Sequence, residues 1–254
     1  MKRYVRAWAH GGPFWAVEES PDTLIVLTAA PWDGGVPTGE LRRGRLLAPV
    51  APSKVIGIGS NYRDHAAEMG KPVPTVPKIF LKAPSAIVGP GEAIRVPPLT
   101  QRVDHEAELG VVIGRRATRV RVEDALSHVF GYTVVNDVTA RDFQKEDGVF
   151  ARAKGFDTFC PVGPAVVTGV DPARLAVRCE VDGVTRQDGT TADMVFDVAA
   201  LIAFVSSVMT LEPGDLIATG TPAGVGPLLA GQTVTVSVEG IGALSNPVVD
   251  RDDR

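Results

Sequence analysis

Apolar and polar residues alternate with a period of two along much of this chain, a pattern that is typical of β-strands. The clearest example runs from His105 to Ile113. Its apolar side chains share one face, while Glu106 and Glu108 share the other. The segment therefore predicts a half-buried strand that carries two carboxylates on its polar face.

Other runs of β-branched and aromatic residues predict further strands, separated by turn residues. Two turns are expected in the first fifty residues, at Gly11-Gly12-Pro13 and Ser20-Pro21-Asp22, and Asp182-Gly183 predicts a two-residue hairpin. The predicted strands are Arg3–Ala9, Phe14–Glu18, Thr23–Leu27, Val55–Gly59, Lys78–Leu81, Phe130–Asn136, Ala176–Val181 and Thr233–Val238.

Helical periodicity is rare by comparison. Apolar residues from Val198 to Met209 follow helical spacing, and Pro213-Gly214 is expected to end that helix. Thr139–Gln144 indicates a second helix start. The pattern alone predicts a β-rich α/β chain, with a boundary near Pro52 between a small N-terminal β subdomain, residues 1–52, and a larger domain, residues 53–254.

Composition narrows the function. The chain has 254 residues, 44% of them hydrophobic, which is enough for a sizeable core. A net charge of −4 without basic runs argues against nucleic acid or an anionic membrane as the main partner. Cys160 and Cys179 have no metal-binding or redox spacing, and Leu201–Leu211 is too short to span a bilayer. A soluble cytoplasmic protein is expected.

The glutamate pair has two interpretations of equal weight. Two carboxylates on one strand face repel each other unless a cation, a lysine or water separates them, and a solvated strand face would meet that need. Asp137, which follows the Phe130–Asn136 run, favours a hard-cation site. Taken alone, Asp137 would equally serve as a helix cap.

Six short blocks are spread along most of the chain. They are Asn61-Tyr62-Arg63-Asp64-His65-Ala66, Phe80-Leu81-Lys82, Glu106-Ala107-Glu108-Leu109, Asn136-Asp137-Val138-Thr139-Ala140-Arg141-Asp142, Lys154-Gly155-Phe156-Asp157 and Thr219-Gly220-Thr221-Pro222-Ala223-Gly224-Val225-Gly226. Their order and spacing resemble those of the fumarylacetoacetate hydrolase family, from about Lys54 to Asn246. One block would carry little weight, whereas six in order make a specific match.

The resemblance implies a mixed β roll with few helices, a homodimer, and Mg²⁺ or Mn²⁺ bound by Glu106, Glu108 and Asp137. One departure is visible, since many members of the family have serine where this chain has Gly155. The glycine leaves Lys154 in place but removes any hydroxyl contact from the next position.

His65 and Glu68 stand three residues apart and would meet on one face of a short helix. A lone histidine is more often structural or exposed, and His10, His105 and His128 are interpreted in that way. The resemblance instead implies that His65 and Glu68 form a dyad that activates water, on a lid that closes over the substrate.

Taken alone, Lys154 would be interpreted as a surface lysine. The resemblance instead implies that it stabilises the negative charge of a metal-bound anion. Arg141 and Gln144 are candidate substrate-binding residues, with a solvated helix face as the alternative. Thr221, in the glycine-rich block, is a candidate to bind a substrate carboxylate. That block lacks the lysine and following helix of a P-loop, and Gly57-Ile58-Gly59 lacks the third glycine of a dinucleotide fingerprint.

These residues predict a Mg²⁺-dependent enzyme that hydrolyses a carbon–carbon bond in a small 2-oxo or 1,3-diketo acid, of the acylpyruvate or fumarylpyruvate type. His65 and Glu68 would activate water, and Lys154 would help to stabilise the departing enolate. The alternatives are isomerisation of 2-hydroxyhepta-2,4-diene-1,7-dioate and decarboxylation of an oxaloacetate-like acid. A third hypothesis, a non-catalytic metabolite-binding relative, is weakened by the presence of all three residues.

Overall fold

The computed structural model describes residues 1–20 and 23–250. Within those ranges the chain is built mainly of short strands. The strands are β1 (Lys2–Ala9), β2 (Gly12–Ser20), β3 (Thr23–Leu27), β4 (Pro37–Arg42), β5 (Arg45–Leu47), β6 (Val55–Gly59), β7 (Lys78–Lys82), β8 (Ile87–Val88), β9 (Ile94–Val96), β10 (Val103–His105), β11 (Ala107–Ile113), β12 (Val129–Asn136), β13 (Thr139–Ala140), β14 (Cys160–Thr168), β15 (Ala176–Val181), β16 (Val184–Thr190), β17 (Leu216–Ala218), β18 (Gly226–Pro227), β19 (Thr233–Val238) and β20 (Gly242–Asp250).

Helices are few and short. The α-helices are α1 (Arg63–Glu68), α2 (Val122–Ala125), α3 (Arg141–Asp147), α4 (Ala151–Gly155) and α5 (Val198–Val208). Single 3₁₀ turns lie at Pro31–Asp33, Pro84–Ala86, Leu126–His128, Pro172–Arg174 and Thr191–Asp193. None of the helices that the structure describes is long and apolar enough to cross a bilayer.

The strands form three sheets among the described residues. The largest has the order β4-β3-β2-β1-β14-β12-β11-β17-β6-β7, with β5 beside β1 and β8 beside β14. A second sheet has the order β16-β15-β19-β20-β9, and a third joins β13, β10 and β18. Most pairings are antiparallel, whereas β17 runs parallel to β6, β20 to β9 and β14 to β8. The predicted fold class, a mixed β roll with few helices, is confirmed.

Strand β11 lies at the centre of the largest sheet, between β12 and β17. The prediction that this strand is half-buried is wrong, because every residue of β11 is buried. Its apolar face, with Leu109 and Val111, packs against strands β15 and β19 of the second sheet. The opposite face is covered too, because Val112 lies in a separate buried cluster with Val50 and Leu216. The predicted strand is also interrupted at Glu106, which separates β10 from β11.

Two predicted helix boundaries differ from the structure. Helix α5 begins where the periodicity predicts, and the Asp197 carboxylate caps it by accepting the Ala200 N–H at 2.8 Å. It ends at Val208, before Pro213-Gly214, because the chain turns away to pair Leu211 with Ala117.

The second helix start is displaced as well. Thr139 and Ala140 form β13, which pairs with β10, so helix α3 begins only at Arg141. Long-range pairing thus overrides the local helical pattern. Asp137 lies four residues before α3 and is not its N-cap, which is Ala140.

The N-terminal strands continue the largest sheet, because β1 pairs with both β2 and β14. The division near Pro52 stays a prediction.

The predicted turns can be compared with the backbone angles. Gly11 and Gly12 have φ of +104° and +117°, which suits glycine, although Gly12 already belongs to β2. The hairpin turn at Asp182-Gly183 is confirmed by φ of +52° and +76°. Pro21 and Asp22 of the predicted turn Ser20-Pro21-Asp22 lie outside the described residues.

Candidate active site

Three carboxylates converge where β11 and β12 pair. The pairing of Ala107 with Asn136 places Glu106, Glu108 and Asp137 side by side. One oxygen from each lies within 4.8 Å of the others, and all three residues are buried, with at most 5% exposed. The predicted convergence is confirmed, and a solvated strand face is excluded.

Three cationic side chains contact this cluster. Lys82 Nζ lies 2.5 Å from Asp137 Oδ1, and Lys154 Nζ lies 2.5 Å from Asp137 Oδ2 and 2.8 Å from Glu106 Oε2. Arg141 Nη2 lies 2.6 Å from Glu106 Oε1, an ion pair that does not meet hydrogen-bond geometry. Asp137 therefore binds two lysines, and its interpretation as a helix cap is wrong.

These contacts determine the charge of the groups. Burial raises the pKa of Glu106, but the charges of Lys154 and Arg141 outweigh burial, and the net shift is downward. Burial likewise opposes the charge of Lys154, yet Asp137 and Glu106 raise its pKa above the ordinary value. Lys154 is buried and charged, so its interpretation as a surface lysine is wrong.

Glu108 differs from the other two carboxylates. None of the cations in the described chain forms an ion pair with it, and Oε2 accepts only the Gly220 N–H at 2.8 Å. Burial, followed by the charges of Asp137 and Glu106, raises its pKa well above the usual range. A buried carboxylate repelled by two neighbours needs a further cation to remain ionised. The all-oxygen donor set thus fits a hard divalent ion such as Mg²⁺ or Mn²⁺.

The predicted dyad lies on helix α1. His65 Nδ1 lies 3.1 Å from Glu68 Oε2, and His65 is buried while Glu68 is about one-third exposed, at 35%. Because a carboxylate accepts, Nδ1 carries the proton and Nε2 is the basic nitrogen. His65 borders a cavity of about 30 Å³ that Glu106 and Glu108 also line.

The candidate substrate residues line that same cavity. Arg141 Nη1 donates to Gln144 Oε1 at 3.0 Å, and Arg141 Nε donates to Asp104 Oδ2 at 2.9 Å. The alternative of a solvated helix face is wrong for Arg141, whose side chain is 12% exposed. Thr221 is buried beside the carboxylates. The structure therefore brings together all nine residues that the sequence singled out.

The glycine-rich block forms a tight turn against helix α1. Gly220 has φ of +96°, and a Cβ there would lie 2.7 Å from the Asn61 Cβ. Gly224 also has φ of +96°, and its N–H donates to Glu68 Oε1 at 3.0 Å. Glu68 thus orients His65 with one oxygen and binds the loop with the other.

His105 and His128 make hydrogen bonds outside the cavity, whereas His10 is exposed. His105 is buried, and burial lowers its pKa although its Nδ1 donates a hydrogen bond to Gln187 Oε1. His128 Nδ1 lies 3.2 Å from the Arg115 carbonyl oxygen. A Cβ at Gly155 would meet no heavy atom within 4 Å, so the glycine is not required by packing.

Two residues of the site were missed by sequence reasoning. Lys82 is 2% exposed and occupies the same strand face as Phe80, a lysine position that should have suggested a buried ion pair. Gln187 is fully buried and joins β11 to the glycine-rich loop, but its position in an ordinary polar strand gave no signal.

A second, larger cleft of about 590 Å³ adjoins the cavity. Met69, Lys71, Arg141, Gln144 and Phe150 border both spaces. The charged residues of its wall are mostly cationic: Lys71, Arg102, Asp104, Arg141 and Lys145.

The family model described as fumarylacetoacetate (FAA) hydrolase C-terminal matches residues 54–249. The chain belongs to the fumarylacetoacetate hydrolase family. Members of this family include hydrolases, isomerases and tautomerases, so the chain is a member of an enzyme family. The Glu106, Glu108 and Asp137 cluster is a site that could hold its divalent metal.

Three relatives show the range of the family. Oxaloacetate tautomerase fahd2, mitochondrial, from Xenopus laevis is 50% identical over 217 residues, covering 80% of this chain and 68% of that protein. Oxaloacetate tautomerase YisK from Bacillus subtilis is 46% identical, covering 82% and 74%. The crystal structure of 2-hydroxyhepta-2,4-diene-1,7-dioate isomerase from Mycobacterium marinum superposes with a TM-score of 0.92 at 45% identity, covering 100% of each chain.

Proposed function

We propose that this enzyme uses Mg²⁺ or Mn²⁺ to interconvert isomers of a 2-oxo dicarboxylic acid by moving a proton at the carbon next to the 2-oxo group. The observation that carries the proposal is the placement of His65. Its Nδ1 is held by Glu68, and its ring borders the cavity that Glu106 and Glu108 line. An oriented imidazole is suited to exchange protons near neutral pH.

Glu106, Glu108 and Asp137 would hold the cation, which would supply positive charge to polarise the 2-oxo group. The protein's own charges act in the same direction. Lys154 borders the cavity with a buried ammonium group, which favours negative charge on a substrate oxygen. Arg141 also lines the cavity and offers a second cation to a substrate carboxylate.

Proton transfer is assigned to His65 Nε2. In the keto-to-enol direction Nε2 takes a proton from the substrate carbon, and the electron pair of that C–H bond forms the carbon–carbon double bond. The same proton is then delivered to the oxygen, which completes the enol. Glu68 stabilises the imidazolium that exists between the two transfers.

The larger cleft supports a substrate with two carboxylates. Lys71 and Lys145 line it and are exposed, while Arg102 pairs with Asp104 at 2.8 Å. A carboxylate at the far end of the substrate would lie among these cations once the 2-oxo end is in the cavity. The two tautomerases and the isomerase described above act on acids of this class by name.

Hydrolysis of a carbon–carbon bond is the second candidate. The cavity beside His65 has a volume of about 30 Å³, which is enough for a water molecule. The same Nε2 would activate that water against a distal carbonyl. An acylpyruvate or fumarylpyruvate would then release a pyruvate-type enolate, with Lys154 beside the negative oxygen.

A substrate panel separates these functions. Purified protein with Mg²⁺ is mixed with enol-oxaloacetate, a hydroxy-diene-dioate and an acylpyruvate, and loss of the enol absorbance is followed together with the products. We expect the enol of a diacid to convert to its isomer without any fragment or carbon dioxide. Fragments from the acylpyruvate alone would favour hydrolysis, carbon dioxide would indicate decarboxylation, and no turnover would contradict the proposal.

Assembly and location are also proposed. Both cysteines are free and buried, which suits a reducing compartment such as the cytoplasm. Burial raises the pKa of each thiol to about 12, so neither is poised to react. We propose a homodimer on the strength of the family resemblance.

A further inference from the structure

The side-chain amide of Gln187 lies fully buried between β11 and the glycine-rich loop. Its Oε1 accepts the backbone N–H of Ala107 at 3.0 Å, and its Nε2 donates to the carbonyl oxygen of Pro222 at 2.8 Å. Because a backbone N–H can only donate and a carbonyl can only accept, these two contacts fix which way round the amide lies.

The other half of the amide is equally constrained. Nε2 also donates to Thr221 Oγ1 at 2.7 Å, and Oε1 also contacts His105 Nδ1 at 3.0 Å. An amide offers two hydrogens and two lone pairs, so Gln187 is fully used. It follows that Thr221 Oγ1 accepts at this contact, and that the hydroxyl hydrogen must be directed to a different acceptor.

The Thr221 hydroxyl hydrogen is available to an acceptor in the cavity. Thr221 borders it together with Glu106, Glu108 and Lys154. Within the described residues, the contact with Gln187 is the one hydrogen bond that the Thr221 hydroxyl makes. The buried network therefore presents a hydroxyl donor, oriented in advance, to whatever occupies the space above the carboxylates.

We infer that Gln187 is a positioning residue that makes Thr221 a hydrogen-bond donor to an anionic oxygen of the substrate. The inference rests on the proposed 2-oxo acid class, but not on which reaction follows. Without Gln187 the hydroxyl would rotate among several partners, and the substrate would lose an oriented donor. Gln187 itself does not touch the substrate.

Binding of oxalate to the Mg²⁺-saturated protein, measured by calorimetry, tests the inference. Thr221→Val removes the donor and should raise the Kd for oxalate roughly 10- to 100-fold, the range for a hydrogen bond to a charged group. Thr221→Ser should bind close to the unmodified protein. Gln187→Met should also raise the Kd, and the double variant should bind no more weakly than Thr221→Val alone.

A purely structural role for Gln187 would give a different pattern. Gln187→Met would then lower Mg²⁺ affinity and add its full effect to that of Thr221→Val, and either result would overturn the inference. Wild-type oxalate affinity in Thr221→Val would also overturn it. Gln232→Met, the same substitution on a distant loop, should bind oxalate normally.

A second variant covers the case in which Gln187→Met does not fold. Gln187→Glu keeps an acceptor for Ala107 but presents a carboxylate to Thr221, so the hydroxyl would donate to it and turn away from the cavity. We expect the same loss of oxalate affinity, and unchanged affinity would contradict the inference. Because oxalate binding needs no turnover, failure of the proposed reaction would appear separately, in the substrate panel.

Discussion

The carboxylate cluster and helix α1 face the same cavity, but they are held in different ways. Glu106, Glu108 and Asp137 lie on or beside central strands and are buried. Lys82 and Lys154 hold Asp137, Lys154 also holds Glu106, and the Gly220 N–H holds Glu108. Helix α1 has only six residues, too few to be stable on its own. The carboxylate cluster, the candidate metal-binding half of the site, is thus built into the core. His65 and Glu68, the half to which proton transfer is assigned, depend on a short helix.

The contacts of helix α1 explain how it is kept in place. Ala66 is buried, Asp64 Oδ2 accepts the Ala223 N–H at 3.3 Å, and Glu68 Oε1 accepts the Gly224 N–H at 3.0 Å. These two polar contacts go to the glycine-rich loop, and Arg63 Nη1 donates to the carbonyl oxygen of Met194 at 3.3 Å. Substitutions in the cluster should therefore affect folding and metal together, whereas substitutions in α1 should affect turnover alone.

The largest effect is expected for Asp137→Asn. It leaves Lys82 and Lys154 buried beside a neutral partner, and breaking such a buried pair costs roughly 3–5 kcal/mol of unfolding free energy. Mg²⁺ binding and turnover should be lost. Denaturant unfolding and metal titration measure the two effects, and a variant with normal stability and metal affinity would show that the cluster is not a unit.

Metal removal should separate activity from folding. A chelator should abolish turnover, and Mg²⁺ or Mn²⁺ should restore it. The metal-free protein should stay folded, because Lys82, Lys154 and Arg141 already pair with two of the three carboxylates. Circular dichroism and an activity assay on the same sample provide the check, and full activity without metal would remove the proposed cation from the mechanism.

Glu68→Gln tests the contribution of helix α1. Glu68 accepts from His65 with one oxygen and from the Gly224 N–H with the other, and glutamine has an NH₂ group in place of one of them, so the imidazole loses its orientation or the loop loses its contact. We expect turnover to fall roughly 10-fold, less than for a fully buried charged hydrogen bond because Glu68 is partly exposed. Metal affinity and unfolding midpoint should not change. A loss of metal affinity would mean that the two halves are not independent.

Lys145→Ala should have the smallest effect. Lys145 is an exposed cation of the larger cleft, and an exposed ion pair is worth a fraction of a kcal/mol to about 1 kcal/mol, which corresponds to roughly 2- to 5-fold in affinity. The value of kcat/KM should fall for a diacid but not for a monoacid of similar length. Lys2→Ala, an exposed lysine in β1, is the matched control. An equal fall for both acids would argue against a distal carboxylate.

Local patterns were sufficient for most strands, whereas the candidate site also needed the resemblance to the family. Val55–Gly59, Ala176–Val181 and Thr233–Val238 have the predicted bounds, since β-branched runs between turn residues are a local signal. The burial of both faces of β11 was not predictable, because it depends on segments that are distant in sequence: the second sheet packs on its apolar face, and a separate buried cluster encloses Val112 on the other. Thr139 pairs with Asp104 instead of starting a helix, which is another long-range effect.

The ion pairs and the amide network were beyond a single sequence for a similar reason. Lys82 and Asp137 are 55 positions apart, and Gln187 and Ala107 are 80 apart, so only the assembled sheets bring them together. The candidate metal ligands were recognisable because Glu106 and Glu108 share a strand face and because the resemblance to the family adds Asp137. The residues that hold them in place were not.

Solvent hydrogen exchange into the substrate tests the central claim most directly. The Mg²⁺-loaded protein and its His65→Ala variant are incubated in D₂O with a 2-oxo diacid, and deuterium at the carbon next to the oxo group is followed by NMR. We expect the variant to exchange roughly 10²- to 10⁴-fold more slowly, the usual contribution of a positioned acid or base, with unchanged Mg²⁺ and oxalate binding. Equal exchange rates in the two proteins would contradict the assignment of proton transfer to His65.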